Sequence, residues 1–255
     1  MPKLITIYLT AGDPDLKTTE QLVVAIEKAG ADIIEIGVPF SDPIADGPVI
    51  QASHQRALKP SKIRPHGVSL DDVMAMVKKL RPKVKIPLYL MLGINLVYHY
   101  GLQKFYDDAK AAGVNGVIVP DFTPDEKALF AGIEKHGISQ VFLVAPTSTE
   151  ERIRMIAENS SGFIYLVSSV GITGKRKEIS PETLEQVKII RKYSKLPIQI
   201  GFGISTPEQA ADISKIADGI IIGSAVVEMI ARSPKACVKK VADFVSKVRR
   251  RISVS

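Results

Sequence analysis

The chain has one cysteine, no tryptophan and four histidines among its 255 residues. The lone Cys237 has no second thiol for an intramolecular disulfide, as expected of a reducing compartment. A chain of this length buries roughly three quarters of its unfolded surface, so its core requires neither a disulfide nor a structural metal. No apolar run approaches the ~20 residues of a membrane span. The strand-like run after Met1-Pro2-Lys3 is too short and too soon interrupted for a secretory signal. A cytoplasmic protein without membrane contact is expected. His54, His66, His99 and His136 stand in no HxxxH spacing and in no cluster with carboxylates, which argues against a metal. His99 and His136 fall in or beside helices and read as surface residues.

Negative charge is in modest deficit: 34 Lys and Arg face 27 Asp and Glu, a net charge of +7. The excess gathers in residues 239–251 and in Lys175-Arg176-Lys177. Nucleic-acid binding asks for a basic face interleaved with stacking aromatics. Here Phe244 falls in register with Val241, Val245 and Val248 on an apolar helix face instead, so no nucleic-acid partner is expected. A modest positive field that draws an anionic substrate or an acidic partner fits the balance better.

What the sequence does contain is one pattern repeated. Short β-branched runs occupy 4–10, 32–37, 85–91, 116–120, 140–145, 163–167, 197–201 and 218–223, with helix-period segments between them. Helix starts are marked by a hydroxyl with Glu or Gln three residues later at Thr123, Ser148 and Thr206. Ser180-Pro181 and Ser233-Pro234 add proline at a first helical position. Strands that alternate with helices imply parallel pairing, and strands buried on both faces read as near-continuous apolar runs. Eight such units predict an α/β fold, a single (β/α)8 barrel spanning residues 1–255 as one domain. Two strand-to-helix connections are long, 38–69 after the second strand and 168–180 after the sixth, with room for a short extra helix over 48–58. Both leave the barrel on the face where active sites occur.

Glu35 is the most anomalous residue. It lies inside Ile33-Ile34-Glu35-Ile36-Gly37, where a buried carboxylate is costly unless paired or functional. Strand alternation puts Ile33, Glu35 and Gly37 on one face. With Ile34 and Ile36 turned to the helices, Glu35 points into the barrel, where desolvation raises its pKa toward the range of a general acid or base. A structural ion pair with an inward Lys or Arg is the other reading. The following loop, residues 38–48, holds three prolines and two aspartates that act equally well as turn formers; Asp46, before Gly47, is the better placed to return to the barrel mouth. Glycines then follow the last three strands: Gly171-Ile172-Thr173-Gly174, Gly201-Phe202-Gly203-Ile204-Ser205 and Gly223-Ser224-Ala225. They either end strands or, with a helix N-terminus, cradle a phosphate. Gly174-Lys175 lacks the first glycine and the Ser or Thr of a nucleotide phosphate loop, and Gly201-Phe202-Gly203 lacks the third glycine of a dinucleotide fingerprint.

These residues carry a family resemblance. Thr10-Ala11-Gly12-Asp13-Pro14, the stretch from Glu35 through Val38-Pro39-Phe40-Ser41-Asp42-Pro43 to Asp46-Gly47-Pro48, and the glycine loops after strands six and seven resemble the tryptophan synthase alpha chain over the whole length and in order. The resemblance implies a barrel that cleaves indole-3-glycerol phosphate to indole and glyceraldehyde 3-phosphate, in tryptophan biosynthesis. It implies a partner beta chain carrying pyridoxal phosphate, in a heterotetramer of two alpha and two beta chains, and no cofactor in this chain. By the same resemblance Glu35 is the general acid/base and Asp46 the carboxylate that meets the indole N–H. Tyr8 and Tyr165 line the pocket, Thr173 contacts the Asp46 loop on closure, and Gly174, Phe202, Gly203, Gly223 and Ser224 form the substrate and phosphate cradle.

Three departures stand out. Family members often carry an extra helix before strand one, whereas strand one begins here almost at Met1, so a barrel floor covered differently or left more open is expected. Gly93 stands where a pocket tyrosine is common. Residues 59–65 read as an insertion placed for partner contact. Two rival readings remain: a subunit that chiefly activates its partner, and another phosphate-binding barrel enzyme such as an isomerase.

Overall fold

The computed structural model describes residues 3–43, 46–62, 64–126, 136–168, 170–171, 178–201 and 203–253. Its central sheet is parallel throughout and follows the expected runs. β1 (Leu4–Thr10), β2 (Ile33–Gly37), β3 (Leu88–Met91) and β4 (Gly116–Ile118) pair in sequence order. β5 (Ser139–Val141) and β6 (Leu143–Val144) are two halves of one barrel strand, interrupted at Phe142. The first half pairs with β4 and the second with β7 (Ile164–Val167), and the Phe142 carbonyl accepts from Tyr165 N–H at 3.3 Å. β10 (Ile198–Gly201) and β11 (Gly219–Ile222) then return to β1. Counted this way, eight strands close a (β/α)8 barrel.

The connections match the expected long loops and add detail. α1 (Leu16–Lys28) follows β1, capped by Asp15. The long loop after β2 carries α2 (Pro48–Ala57) before α3 (Leu70–Leu80), whose start is a capping box between Ser69 and Asp72. α4 (Ile94–Tyr100) and α5 (Leu102–Ala112) follow β3, and α6 (Glu150–Asn159) follows β6. The loop after β7 contains an antiparallel pair, β8 (Val170–Gly171) with β9 (Glu178–Ile179), before α7 (Pro181–Tyr193). α8 (Pro207–Ser214), α9 (Ser224–Arg232) and α10 (Cys237–Ser253) complete the ring, α10 packing on α1 and α8.

Two helix starts differ from the sequence reading. α6 is capped by Thr149 rather than Ser148, whose hydroxyl instead accepts from Ala145 N–H in the preceding turn. α10 begins at Cys237, not at Pro234, because Ser233 N–H closes α9 on Met229 and Pro234–Ala236 is spent turning the chain. Thr206 and Ser180 cap α8 and α7 as expected.

Strand alternation divides the core in two. Ile5, Ile7, Leu9, Ile34 and Ile36 face the helices. Ile33, Tyr89, Ile118, Val141, Phe163 and Ile221 fill the barrel interior, with the Tyr89 and Phe163 rings 5.5 Å apart. The lumen is therefore packed, and open space begins only toward the strands' C-terminal ends. At the opposite end Arg249 of α10 reaches the Lys3 and Gly30 carbonyls and pairs with Asp32. Val241, Val245, Val248 and Ile252 are buried and Phe244 packs beside them, so the basic tail is an amphipathic helix. Among the described residues no helix is long and apolar enough to cross a membrane.

Candidate active site

A cavity of about 320 Å³ opens at the C-terminal ends of the strands. Tyr8, Glu35, Asp46, Tyr165, Gly203, Gly223 and Ser224 all line it, so the structure gathers seven of the ten expected site residues. Thr173, Gly174 and Phe202 lie outside the described residues.

Glu35 is brought to this place by parity. It pairs in register with Tyr8 on one side and Tyr89 on the other, and is fully buried. Neither carboxyl oxygen has a hydrogen-bond partner among the described residues. The ion-pair reading therefore fails, and burial pushes its pKa up to about 8. At neutral pH the group is mainly an uncharged acid, able to donate a proton and then accept one.

The tyrosines frame it. A Cβ at Gly37 would overlap the Tyr8 hydroxyl, and one at Gly201 would press on that of Tyr165, so a glycine on the next strand makes room for each phenol. Burial, and after it Asp46 for Tyr8 and Glu35 for Tyr165, push both phenols above their ordinary range, which keeps them neutral donors.

Asp46 enters from the loop after β2, and α2 holds that loop in place. Pro48 occupies the helix start. Gln51 donates to the Asp46 carbonyl at 2.8 Å. Ser53 and Thr10 hydroxyls meet at 2.6 Å, and Arg56 forks onto buried Asp13 with bonds of 2.8 and 2.7 Å. These contacts fasten α2 to β1 and to the turn after it. The Asp46 carboxylate is 13% exposed and bonds His54 Nε2 at 3.1 Å. Asp42, by contrast, is exposed, bonds Ser41, and reaches only a smaller adjoining hollow.

Gly203, Gly223 and Ser224 line the same cavity. Gly203 turns the chain at φ +75°, and Gly223 hands β11 to α9, whose first residue is Ser224. A helix start has unpaired backbone N–H groups and a partial positive charge, and this one borders the cavity. Ile50, Met91, Leu143 and Val167 supply an apolar middle suited to a flat ring. None of these four stands out in the sequence, although Met91, Leu143 and Val167 sit at strand ends on the inward parity. Nor does His54 stand out there as a site residue, yet it is buried beside Asp46. His99 is exposed as expected, whereas His136 is half-buried against Tyr106 and Asp107. At position 93 a side chain would press on the Phe40 ring at 3.0 Å, so Phe40 occupies the room a larger residue would need. Among the described residues no group of His, Cys, Asp or Glu could hold a metal ion.

Fold and cavity together define a (β/α)8 barrel whose pocket holds a desolvated carboxyl and is bordered by a helix start. The family model for the tryptophan synthase alpha chain matches residues 2–253, and the chain belongs to that family. The tryptophan synthase alpha chain of Thermoanaerobacter sp. is 46% identical over 97% of this chain and 93% of its own length. The crystal structure of tryptophan synthase subunit alpha from Legionella pneumophila superposes with a TM-score of 0.87 at 35% identity, covering 99% of this chain and 94% of that one. A chain of the tryptophan synthase complex from Pyrococcus furiosus gives 0.85 at 34% identity, covering 97% and 99%.

Proposed function

We propose that the chain is a lyase that cleaves indole-3-glycerol phosphate to indole and glyceraldehyde 3-phosphate, as the alpha subunit of tryptophan synthase. The observation that carries this reading is Glu35: a buried acid, without a hydrogen-bond partner among the described residues, in a pocket that the start of α9 also borders. The protonated carboxyl donates to indole C3, and positive charge spreads to the ring nitrogen, whose N–H meets Asp46. The resulting Glu35 carboxylate then takes the proton of the adjacent side-chain hydroxyl. The bond from C3 to that carbon breaks, its electron pair returns to the ring, and the aldehyde forms. One proton is given and one recovered, so the cycle closes on Glu35. Gly203, Gly223 and Ser224 hold the phosphate, and Gly174 and Phe202 complete that end by family resemblance.

Membership in a family whose solved relatives include a tryptophan synthase complex supports a beta-chain partner for this chain; an assembly of two alpha and two beta chains is part of the same proposal. Pyridoxal phosphate is assigned to that partner and no cofactor to this chain. Incubation of the purified protein with indole-3-glycerol phosphate, with and without a beta chain, tests the reading. Indole release is expected in both, faster with the partner. Glu35→Gln is expected to lower it by about 10²–10⁴-fold, the usual worth of general acid–base catalysis. Retention of a tenth of the wild-type rate by that variant would remove Glu35 from the central role.

A further inference from the structure

We infer that His54 is a positioning residue that sets the orientation of the Asp46 carboxylate, through a ring whose tautomer the backbone dictates. The inference rests on the reading that Asp46 meets the substrate N–H. His54 sits in the second turn of α2, is 4% exposed, and is one of three buried residues in that helix. The backbone N–H of Phe40 donates to its Nδ1 at 3.2 Å. Nδ1 must therefore present a lone pair, and the ring proton belongs on Nε2. Two oxygens lie near that proton: Asp46 Oδ2 at 3.1 Å and Tyr8 Oη at 3.4 Å. The nearer, ionised acceptor takes it, because charge-assisted hydrogen bonds are the stronger kind. Tyr8 is left to its 3.2 Å contact with Thr10.

The cavities give the direction of action. Asp46 and Tyr8 line both the main cavity and the smaller hollow beside it, whereas His54 lines only the hollow. His54 thus stands behind Asp46 as seen from the pocket and acts on the substrate through it. With Oδ2 engaged, and no hydrogen bond to Oδ1 among the described residues, Oδ1 is the oxygen free to turn toward the pocket. The Phe40 amide links this setting to the same loop, so the imidazole joins both flanks of residues 40–46 to α2.

Two substitutions separate a donor from mere bulk: His54→Gln retains an N–H near the Nε2 position, and His54→Phe fills the space without one. In indole release, His54→Phe is expected to lower kcat by roughly tenfold to a hundredfold, the range for losing a hydrogen bond to a charged group, with KM within about threefold. His54→Gln should keep most of the rate. In an Asp46→Asn background the same His54→Phe change should cost less than about twofold, because its target is gone. Nitrogen NMR of histidine-labelled wild type should show an unprotonated Nδ1 and a protonated Nε2, with the Nε2 signal displaced in Asp46→Asn. Full activity in His54→Phe, equal loss in both His54 variants, or multiplicative losses in the double variant would overturn the inference. So would the opposite tautomer, a readout that holds even if His54→Phe does not fold. A wild type that releases no indole defeats the proposed function instead, and the spectrum then decides the His54–Asp46 bond alone.

Discussion

A carboxyl group without a partner inside a barrel is a cost that the fold carries for chemistry, and pH makes the cost measurable. The folded value of Glu35, about 8, lies above the ordinary 4.5. Between those values the native chain holds a proton that the unfolded chain has released, so native stability falls as pH rises through this window. The loss is at most about 1.4 kcal/mol per pH unit, begins near the ordinary carboxyl value, and levels off above the folded value. Glu35→Gln removes the titration and keeps the shape. Its melting temperature relative to wild type is therefore expected to climb steadily from about pH 5 to about pH 8 and to change little beyond. Parallel melting curves for the two proteins across that range would show that Glu35 does not titrate as a desolvated acid.

At the scale of elements, the proposed anion end of the pocket depends on two glycines that are not alike. Gly203 lies in the left-handed region, where an L side chain costs roughly 1–2 kcal/mol. Gly223 has φ −117°, and a Cβ there would meet Tyr8 in ordinary contact at 3.4 Å. Gly223→Ala is thus the cleaner probe. It is expected to leave the melting temperature nearly unchanged while raising KM and the inhibition constant of inorganic phosphate by roughly tenfold or more, through the loss of a backbone bond to a charged group. Gly203→Ala should lower stability as well. Unaltered phosphate inhibition in Gly223→Ala would move the anion site away from α9. Both glycines, like Glu35, were legible in the sequence because strand parity and chain order are local patterns. The eight strands were legible for the same reason, each being an apolar run buried on both faces. The break at Phe142 was not, since it answers to strands on either side, nor were the β8–β9 pair and the late start of α10, which are short hydrogen-bonded turns with no apolar period to mark them. His54 was hidden most thoroughly. Its partners Phe40, Asp46 and Tyr8 come together only when α2 packs on β1.

For the whole molecule, the two long connections leave the same end of the barrel, and the structure shows how firmly one is held. Arg56 on Asp13 and Ser53 on Thr10 fasten α2, so the Asp46 arm is built into the barrel wall before any partner arrives. The arm after β7 is tied to the barrel at its root, where Ser168 N–H meets the Gly201 carbonyl at 3.0 Å, and leads into the β8–β9 pair. A partner that docks on this face and favours the closed arrangement of the two arms raises turnover by the ratio of its affinities for the closed and open forms. A tenfold activation asks for about 1.4 kcal/mol of that difference when closure limits the rate. Amides of β8 and β9 should then exchange more slowly when a beta chain is added, while those of α2, already held, should change little. Thr173→Val, placed by family resemblance where the arms meet, is expected to cut partner-stimulated turnover and to spare the slow rate of the free chain. Arg56→Met, which frees α2, should lower both rates. Unchanged exchange in β8 and β9, together with a fully stimulated Thr173→Val protein, would mean that the partner activates this chain by some route other than closure of these arms.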